Sequence, residues 1–243
     1  MIIGVNGYAG SGKDTVGKLV QLLHCPSMGH VTVEEALDNY ENHQWWIEDQ
    51  SNWEIKKWAG KLKYIATLLT GIPISKFEDQ EFKKTNLGPE WSTIVRKPGK
   101  RQDGLFGTGE MEIKPMTVRD FLQRLGTEGL RTGLHENTWV NALMADYTPT
   151  QVQWSDGPIG GYEDGPMPNW IITDTRFPNE AQAIKDAGGI VIRVDRPGVK
   201  AINAHPSETG LDNWNFDHKI MNGSDIVSLM FSLNTILKKQ NLL

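Results

Sequence analysis

The residue types with the most chemistry in them lie near the N-terminus, at Gly7-Tyr-Ala-Gly10-Ser11-Gly12-Lys13-Asp14-Thr15. Gly7-x-x-x-x-Gly12-Lys13 follows an apolar run, Met1 to Val5, and leads into a helix-like stretch from Lys13 to Leu23. Strand, glycine-rich loop and helix in that order make an anion cradle. Successive backbone N–H groups and the positive end of the helix dipole converge on one phosphate, and a lysine adds a mobile full charge. Glycine is required because the loop visits positive φ and because a Cβ would hold the phosphates away. The strict pattern puts Ser or Thr after the lysine, to place a hydroxyl on Mg2+. Here that position is Asp14, and the hydroxyl comes one residue later at Thr15. A glycine turn without a ligand and a phosphate-binding remnant without catalysis compete with a working nucleotide site; the flanking strand and helix favour the working site. A polyphosphate is the expected ligand of Gly10, Ser11, Gly12, Lys13, Asp14 and Thr15.

A second constellation is Trp170-Ile-Ile-Thr-Asp174-Thr-Arg176. Trp170 to Thr173 reads as a buried strand with Asp174 at its carboxyl end, the edge where open α/β sheets bind ligands. Asp174 is therefore a candidate for orienting magnesium, with a turn or capping aspartate as the alternative. Pro178-Asn-Glu180 opens a helix, with Pro and Glu where an N-terminus favours them. The strand Ile190–Val194 runs into Arg193, Asp195 and Arg196, and the polar stretch after it suggests a lid over phosphates or an exposed loop. Lys61 and Lys63 stand at the start of a helical pattern. Cations there oppose the helix dipole, and a docked anion would explain them, with a solvated face as the alternative for Lys61.

The elements that must position these groups alternate strand with helix, which predicts an α/β fold with a parallel sheet. The helical pattern is expected from Ile55 to Gly71, with a stripe of Leu62, Ile65, Ala66, Leu68 and Leu69. Thr117-x-x-Asp120 resembles a capping box opening a helix with Val118, Phe121, Leu122 and Leu125 inside. Thr138–Tyr147 is a further helix. Ser224 or Asp225 caps a last one, striped by Val227, Met230, Leu233, Ile236 and Leu237. Three stretches read as insertions. Residues 24–54 hold Trp45, Trp46 and Trp53 and one short helix over Val33–Tyr40. Residues 76–115 look like a flap and not a second core, with a basic cluster at Lys97–Arg101. Residues 148–168 read as a loop or hairpin.

Composition sets the outer limits. The 243 residues, 38% hydrophobic and 23% charged, suit one large soluble domain with insertions. A net charge of −5 argues against a broad nucleic-acid footprint. The single cysteine, Cys25, permits no internal disulfide and reads as an apolar packer in a reducing compartment. With no stretch of about 20 apolar residues and no leader-like start, a cytoplasmic protein with no membrane and no nucleic-acid partner is expected.

Several stretches together resemble the deoxynucleoside monophosphate kinases of tailed bacteriophages, a branch of the adenylate-kinase-like P-loop kinases. They are Gly10-Ser-Gly-Lys-Asp-Thr15, Ala59-Gly-Lys-Leu-Lys63, Val118-Arg119 through Leu125-Gly-Thr127, Asp174-Thr-Arg176, and Arg196-Pro-Gly198 with His205-x-Ser-Glu208. They occur in the family's order across nearly the whole chain, and the Gly-Lys-Asp-Thr form of the loop occurs in that family too. The resemblance implies a three-layer α/β/α domain with a parallel central sheet, a lid near residues 196–212 and inserted loops. It implies ATP- and Mg2+-dependent phosphorylation of a deoxynucleoside monophosphate for dNTP supply, with nucleotides as the partners; a homodimer is compatible with it. Lys13, Arg176 and Arg196 would be catalytic. Lys61, Leu62, Lys63, Arg119, Gly126, Thr127, Trp139, Asp174, Arg176 and Glu180 would shape the monophosphate site, and Asp174 would meet the metal through water. Core packing is an equal reading for Trp139. A kinase of another small phosphorylated metabolite, such as dephospho-coenzyme A, and a P-loop NTPase acting on a partner or DNA are the alternatives.

Overall fold

A computed structural model describes residues 1–25, 32–96, 111–154, 160–200 and 209–243. The basic cluster at 97–101, His205-x-Ser-Glu208 and the middle of the expected lid lie outside the described residues. Cα packing divides the chain into two compact units: Met1–Trp58 with Trp139–Leu243, and Ala59–Thr138.

The first unit is built on a five-stranded sheet. Its strands are β1 (Ile2–Asn6), β2 (Trp53–Lys56), β7 (Asn169–Ile172), β8 (Ile190–Asp195) and β9 (His218–Met221), in the order β2-β7-β1-β8-β9. Every pairing is parallel, with Gly4 opposite Ile172 and Asn6 opposite Arg193. Parallel strands buried on both faces need near-continuous apolar runs, and Ile-Ile-Gly-Val and Ile-Val-Ile supply them. Alternate side chains feed two cores. On one face Ile3, Val5, Ile171, Ile192 and Val194 pack against α1 (Lys13–Leu23), α3 (Tyr40–Ser51) and the last helix, α8 (Ile226–Lys239). On the other, Ile2, Trp170, Ile172 and Val191 meet Val140 and Leu143 of α6 (Thr138–Met144) and Ala181 and Ile184 of α7 (Pro178–Asp186). This is the expected three-layer α/β/α arrangement on a parallel central sheet.

Two local expectations need correction in this unit. Residues 33–51 form two helices, α2 (Val33–Asp38) and α3, and the next four residues are the edge strand β2. The helix expected from Ile55 starts only at Gly60. Gln21, fully buried on α1, anchors this segment: its amide donates to the Trp53 carbonyl at 2.6 Å and its oxygen accepts from the Tyr40 hydroxyl. Trp53 is buried and Trp46 packs on the core, whereas Trp45 is exposed. On α8 Leu233 and Leu237 are buried and Met230 and Ile236 pack against the same core, as the expected stripe has it; Leu229, which the stripe omitted, is buried with them. Asp225 caps that helix by accepting from the Ser228 amide at 2.8 Å, and β5 (Gln151–Trp154) pairs antiparallel with β6 (Gly161–Asp164).

The second unit holds α4 (Gly60–Thr70), the antiparallel pair β3 (Thr93–Arg96) and β4 (Met111–Lys114), and α5 (Val118–Gln123). Thr117 and Asp120 close a reciprocal capping box at the start of α5, as their spacing predicts. The helix then widens over Arg124–Thr132, with i to i+5 bonds such as Gly133 N to Glu128 O at 3.0 Å. Contrary to the flap reading, this unit has its own core. Phe77, from a short 3-10 turn at Ile74–Phe77, is fully buried with Ala66, Val118 and Phe121. Trp91 meets the edge of the Phe121 ring at 4.9 Å between centroids.

Candidate active site

Because all five strands run parallel, their C-terminal ends share one sheet edge, and the chemistry-bearing turns follow from it. Gly7–Gly12 follows β1, Lys57–Trp58 follows β2, Thr173–Arg176 follows β7, Arg196 follows β8 and Asn222 follows β9.

The loop after β1 has the conformation an anion cradle requires. Gly10 and Gly12 lie at φ +81° and +100°, and Gly12 is the left-handed N-cap of α1. A Cβ at Gly12 would stand 2.5 Å from Asn222 Nδ2, whereas one at Gly10 would meet nothing within 4 Å. Asn222 donates to the Ser11 carbonyl at 2.9 Å and so clasps the loop from the far strand. The Ser11 hydroxyl is buried and has no hydrogen-bond partner among the described residues, and Lys13 Nζ donates to the Tyr8 carbonyl at 2.9 Å. An orphaned hydroxyl and an ammonium folded back on its own loop are what a phosphate group would reorganise. The residues present fit a nucleotide polyphosphate.

Gly12→Ala is expected to cost about 1–2 kcal/mol from backbone strain alone. Its methyl would also displace the Asn222 clasp. A thermal melt should show the loss, and nucleotide affinity should fall about tenfold. An unchanged melting temperature with unchanged affinity would contradict this geometry.

Asp14 stands where the strict motif has a hydroxyl, and the structure gives its carboxylate three neighbours. Desolvation alone would raise its pKa, but Lys57, 3.4 Å away, the Thr173 hydroxyl donating at 2.8 Å, and Lys13 together hold it below the usual carboxylate range. It is ionised at neutral pH. Asp174 accepts from the Trp58 amide at 2.8 Å. The two-residue turn after β2 thus addresses both carboxylates, the Lys57 side chain on Asp14 and the Trp58 backbone on Asp174. Among the described residues no cluster of three or more His, Cys, Asp or Glu is arranged to hold a metal by itself. Asp14 and Asp174 are carboxylates at this edge that could hold water of a metal ion carried by phosphate oxygens.

The flanking turns are braced from below. Glu180, 3% exposed, accepts from the Arg176 amide at 2.8 Å and the Phe177 amide at 3.1 Å, so it fixes the turn that carries Arg176. Asn6 donates to the Thr175 carbonyl at 2.7 Å and accepts from Arg193 Nη1 at 2.7 Å. Arg193, Asn6, Lys57 and Asn222 were not among the expected site residues. Arg193 lies across the Tyr8 ring at 4.5 Å, held by Asp195 and Asp212, and does not project as a lid arginine. Arg196, exposed, does reach the loop: its Nη1 lies 3.4 Å from the Gly10 carbonyl. Thr15 is half-buried in the first turn of α1. Trp139 is 6% exposed on α6, in keeping with its packing alternative.

The remaining expected residues belong to the second unit. Lys61, Leu62 and Lys63 occupy the first turn of α4, and Arg119 the first turn of α5. Gly126 is buried where the widened helix crosses Leu62; a Cβ there would come within 2.9 Å of Leu62 Cδ2, so close helix approach explains the glycine. Thr127 follows it, half-buried. Lys63, its side chain 12% exposed, forms an ion pair with Glu78, and Arg119 Nη2 donates to Gln80 Oε1 at 3.4 Å.

Comparison with known proteins adds a separate line. Residues 103–232, more than half of the chain, match the family described as deoxynucleotide monophosphate kinase. The chain belongs to this family. It is 26% identical over 251 aligned positions to the deoxynucleoside-5′-monophosphate kinase of Escherichia phage T5, covering 93% of this chain and 90% of that one. A 30% identical stretch of 122 residues covers 50% of this chain and 46% of the deoxynucleotide monophosphate kinase of Enterobacteria phage T4. A further match, 32% over 120 residues, covers 44% of this chain and 56% of a protein of Acanthamoeba polyphaga mimivirus whose name carries the same activity. In these last two cases the chain spans about half the length of the relative. The family match begins beyond the phosphate loop, so loop and family are independent signs. No helix among the described residues is long and apolar enough to cross a membrane.

Proposed function

We propose that this chain transfers the terminal phosphoryl group of ATP to a deoxynucleoside 5′-monophosphate, giving the diphosphate for dNTP supply. The observation that carries the reading is the convergence on one sheet edge of the cradle Gly10–Thr15, the carboxylates Asp14 and Asp174, and Arg196. Both reactants are anions, so the reaction demands concentrated positive charge. The acceptor needs no strong general base, because the second pKa of a phosphate monoester is about 6 and it is ionised at neutral pH. Positioning in line and stabilising charge on the transferring group then account for catalysis.

In this reading the backbone of residues 10–15 and the Ser11 hydroxyl grip the donor phosphates, and Lys13 leaves the Tyr8 carbonyl to follow charge onto the group in transfer. Arg176 and Arg196 steady phosphate oxygens. Asp174, aimed by the Trp58 amide, and Asp14 would hold water of a magnesium ion, which when bound neutralises phosphate charge. Lys61, Lys63, Arg119 and Thr127 receive the monophosphate, with Leu62 and Gly126 setting the packing beneath them. The protein would work in the cytoplasm, the host's if it is phage-encoded, without nucleic acid as a partner, and a homodimer is compatible with this reading.

A steady-state survey of the common deoxy- and ribonucleoside monophosphates with ATP and Mg2+ tests the proposal. At least one deoxynucleoside monophosphate is expected to give an acceptor-dependent diphosphate. ATP hydrolysis with no phosphorylated acceptor from any of them would refute it.

A further inference from the structure

Lys63 is the basic residue whose place in the first turn of α4 the helix dipole disfavours, and the structure supplies the anion that a docked ligand would otherwise provide. That anion is Glu78. Its backbone is fixed on both sides: Phe77 is buried in the second unit's core, the Glu78 amide donates to the Ser75 carbonyl at 3.1 Å, and Asp79 accepts from the amides of Glu81 and Phe82 at 2.8 and 3.2 Å. The carboxylate, with its side chain 56% exposed, is therefore presented to a lysine only 12% exposed, and two residues on Gln80 engages Arg119. One short segment, Glu78-Asp-Gln80, thus engages two of the three cations that the proposed function gives to the acceptor phosphate, Lys63 and Arg119.

We propose that Glu78 is a stand-in for the acceptor phosphate: it holds Lys63 in place while the site is empty and must be displaced when the monophosphate arrives. The inference rests on the proposed role of Lys63. The physical logic is competition for one ammonium. A half-buried lysine without a counter-ion is costly, so an internal carboxylate keeps it charged and oriented. A phosphate dianion outcompetes one carboxylate because it brings more charge and more acceptor oxygens. The cost of displacing Glu78 raises the KM for the acceptor, and it disfavours ligands with a single negative charge, which match the carboxylate without exceeding it. Glu78 would act through Lys63 as a positioning and selectivity residue and would take no part in the chemistry.

Glu78→Gln keeps shape and hydrogen bonding and removes the charge. If Glu78 is a stand-in, this variant should bind the acceptor about 3- to 10-fold more tightly, the range expected for losing one partly shielded ion pair. The gain should appear in KM for the acceptor and in calorimetric binding of each deoxynucleoside monophosphate without ATP, while KM for ATP stays put. A purely structural tie between Glu78 and α4 predicts the opposite pattern: a lower melting temperature with unchanged or weaker acceptor binding, which would overturn the inference. Lys63→Met and Arg119→Gln, each checked by thermal melt, separate this from the underlying reading. Should both leave acceptor KM unchanged, the acceptor site itself is misplaced. Should either raise it while Glu78→Gln does not lower it, only the stand-in role fails.

Discussion

Lys13→Met is expected to lower phosphoryl transfer by about a thousandfold or more while leaving the fold intact. The side chain donates to the carbonyl of Tyr8, a bond that water can replace, so the net worth of that bond to stability is about 1 kcal/mol. Its worth in the reaction is larger because the ammonium would face charge that builds on the transferring group inside a loop of fixed N–H donors. Removing one such preorganised cation typically costs several kcal/mol of transition-state stabilisation. The sign of the result separates two roles. If Lys13 only anchored ATP, KM for ATP would rise with kcat little changed. If it follows the transferring phosphoryl group, kcat and kcat/KM fall together. A coupled assay at saturating ATP, with a thermal melt of the same preparation, decides the matter; full turnover in the variant would remove the phosphate loop from the mechanism.

What the sequence made legible was whatever is encoded locally. The cradle, the Thr117–Asp120 capping box, the Asp225 cap and the start of α7 at Pro178 are each written within a few residues. Buried parallel strands such as Ile190–Asp195 announce themselves by continuous apolar runs. β2 was hidden for the converse reason. Trp53-Glu-Ile-Lys is a four-residue edge strand, half polar because one flank is open, and its register comes from β7 and from Gln21 on another helix. Phe77 was hidden because a single apolar residue in a polar stretch shows no period, and its partners Val118 and Phe121 lie some 40 residues on. The site divides in the same way. The residues proposed to act on phosphate or its metal stand in recognisable stretches of sequence, so Lys13, Asp174 and Arg196 could be picked out. The residues that hold them in place do not: Asn222 clasps Ser11 across 211 positions of chain, and Lys57 meets Asp14 across two strands. Asp14 itself reads differently for this. It fills the position of a metal-binding hydroxyl, yet its neighbours make it an ionised carboxylate tied to β2 and β7.

Arg193 is the largest of these unadvertised supports, and replacing it should show as lost stability before lost chemistry. It is 7% exposed at the sheet edge, with Nε donating to Asp195 at 2.8 Å and Nη1 shared between Asn6 at 2.7 Å and Asp212 at 3.3 Å. Burial would lower its pKa, but Asp195 and Tyr8 more than offset this, so it is charged at any pH of interest. Through Asn6 it steadies the Thr175 carbonyl, and through the Tyr8 ring, whose hydroxyl donates to Asp212 at 2.9 Å, it steadies the start of the phosphate loop. Arg193→Met would keep the bulk and leave two neighbouring carboxylates and the Asn6 oxygen without their shared donor. Breaking a fully buried ion pair from one side costs about 3–5 kcal/mol; because the Asp195 and Asp212 side chains are 37% and 33% exposed, solvent reduces this to about 1–3 kcal/mol. For a chain of this size that corresponds to a fall of roughly 2–12 °C in melting temperature. Arg193→Lys should recover part of it, because the ammonium restores the charge but cannot divide itself among Asp195, Asn6 and Asp212 as a planar fork does. Turnover should fall in both variants in proportion to the loosening of the loop, with weaker nucleotide binding in each. A melting temperature within about 2 °C of the parent for Arg193→Met would mean that the network contributes no net stability, as some buried ion pairs do not. The bracing of the phosphate loop would then have to come from Asn222 and the helix cap at Gly12 alone.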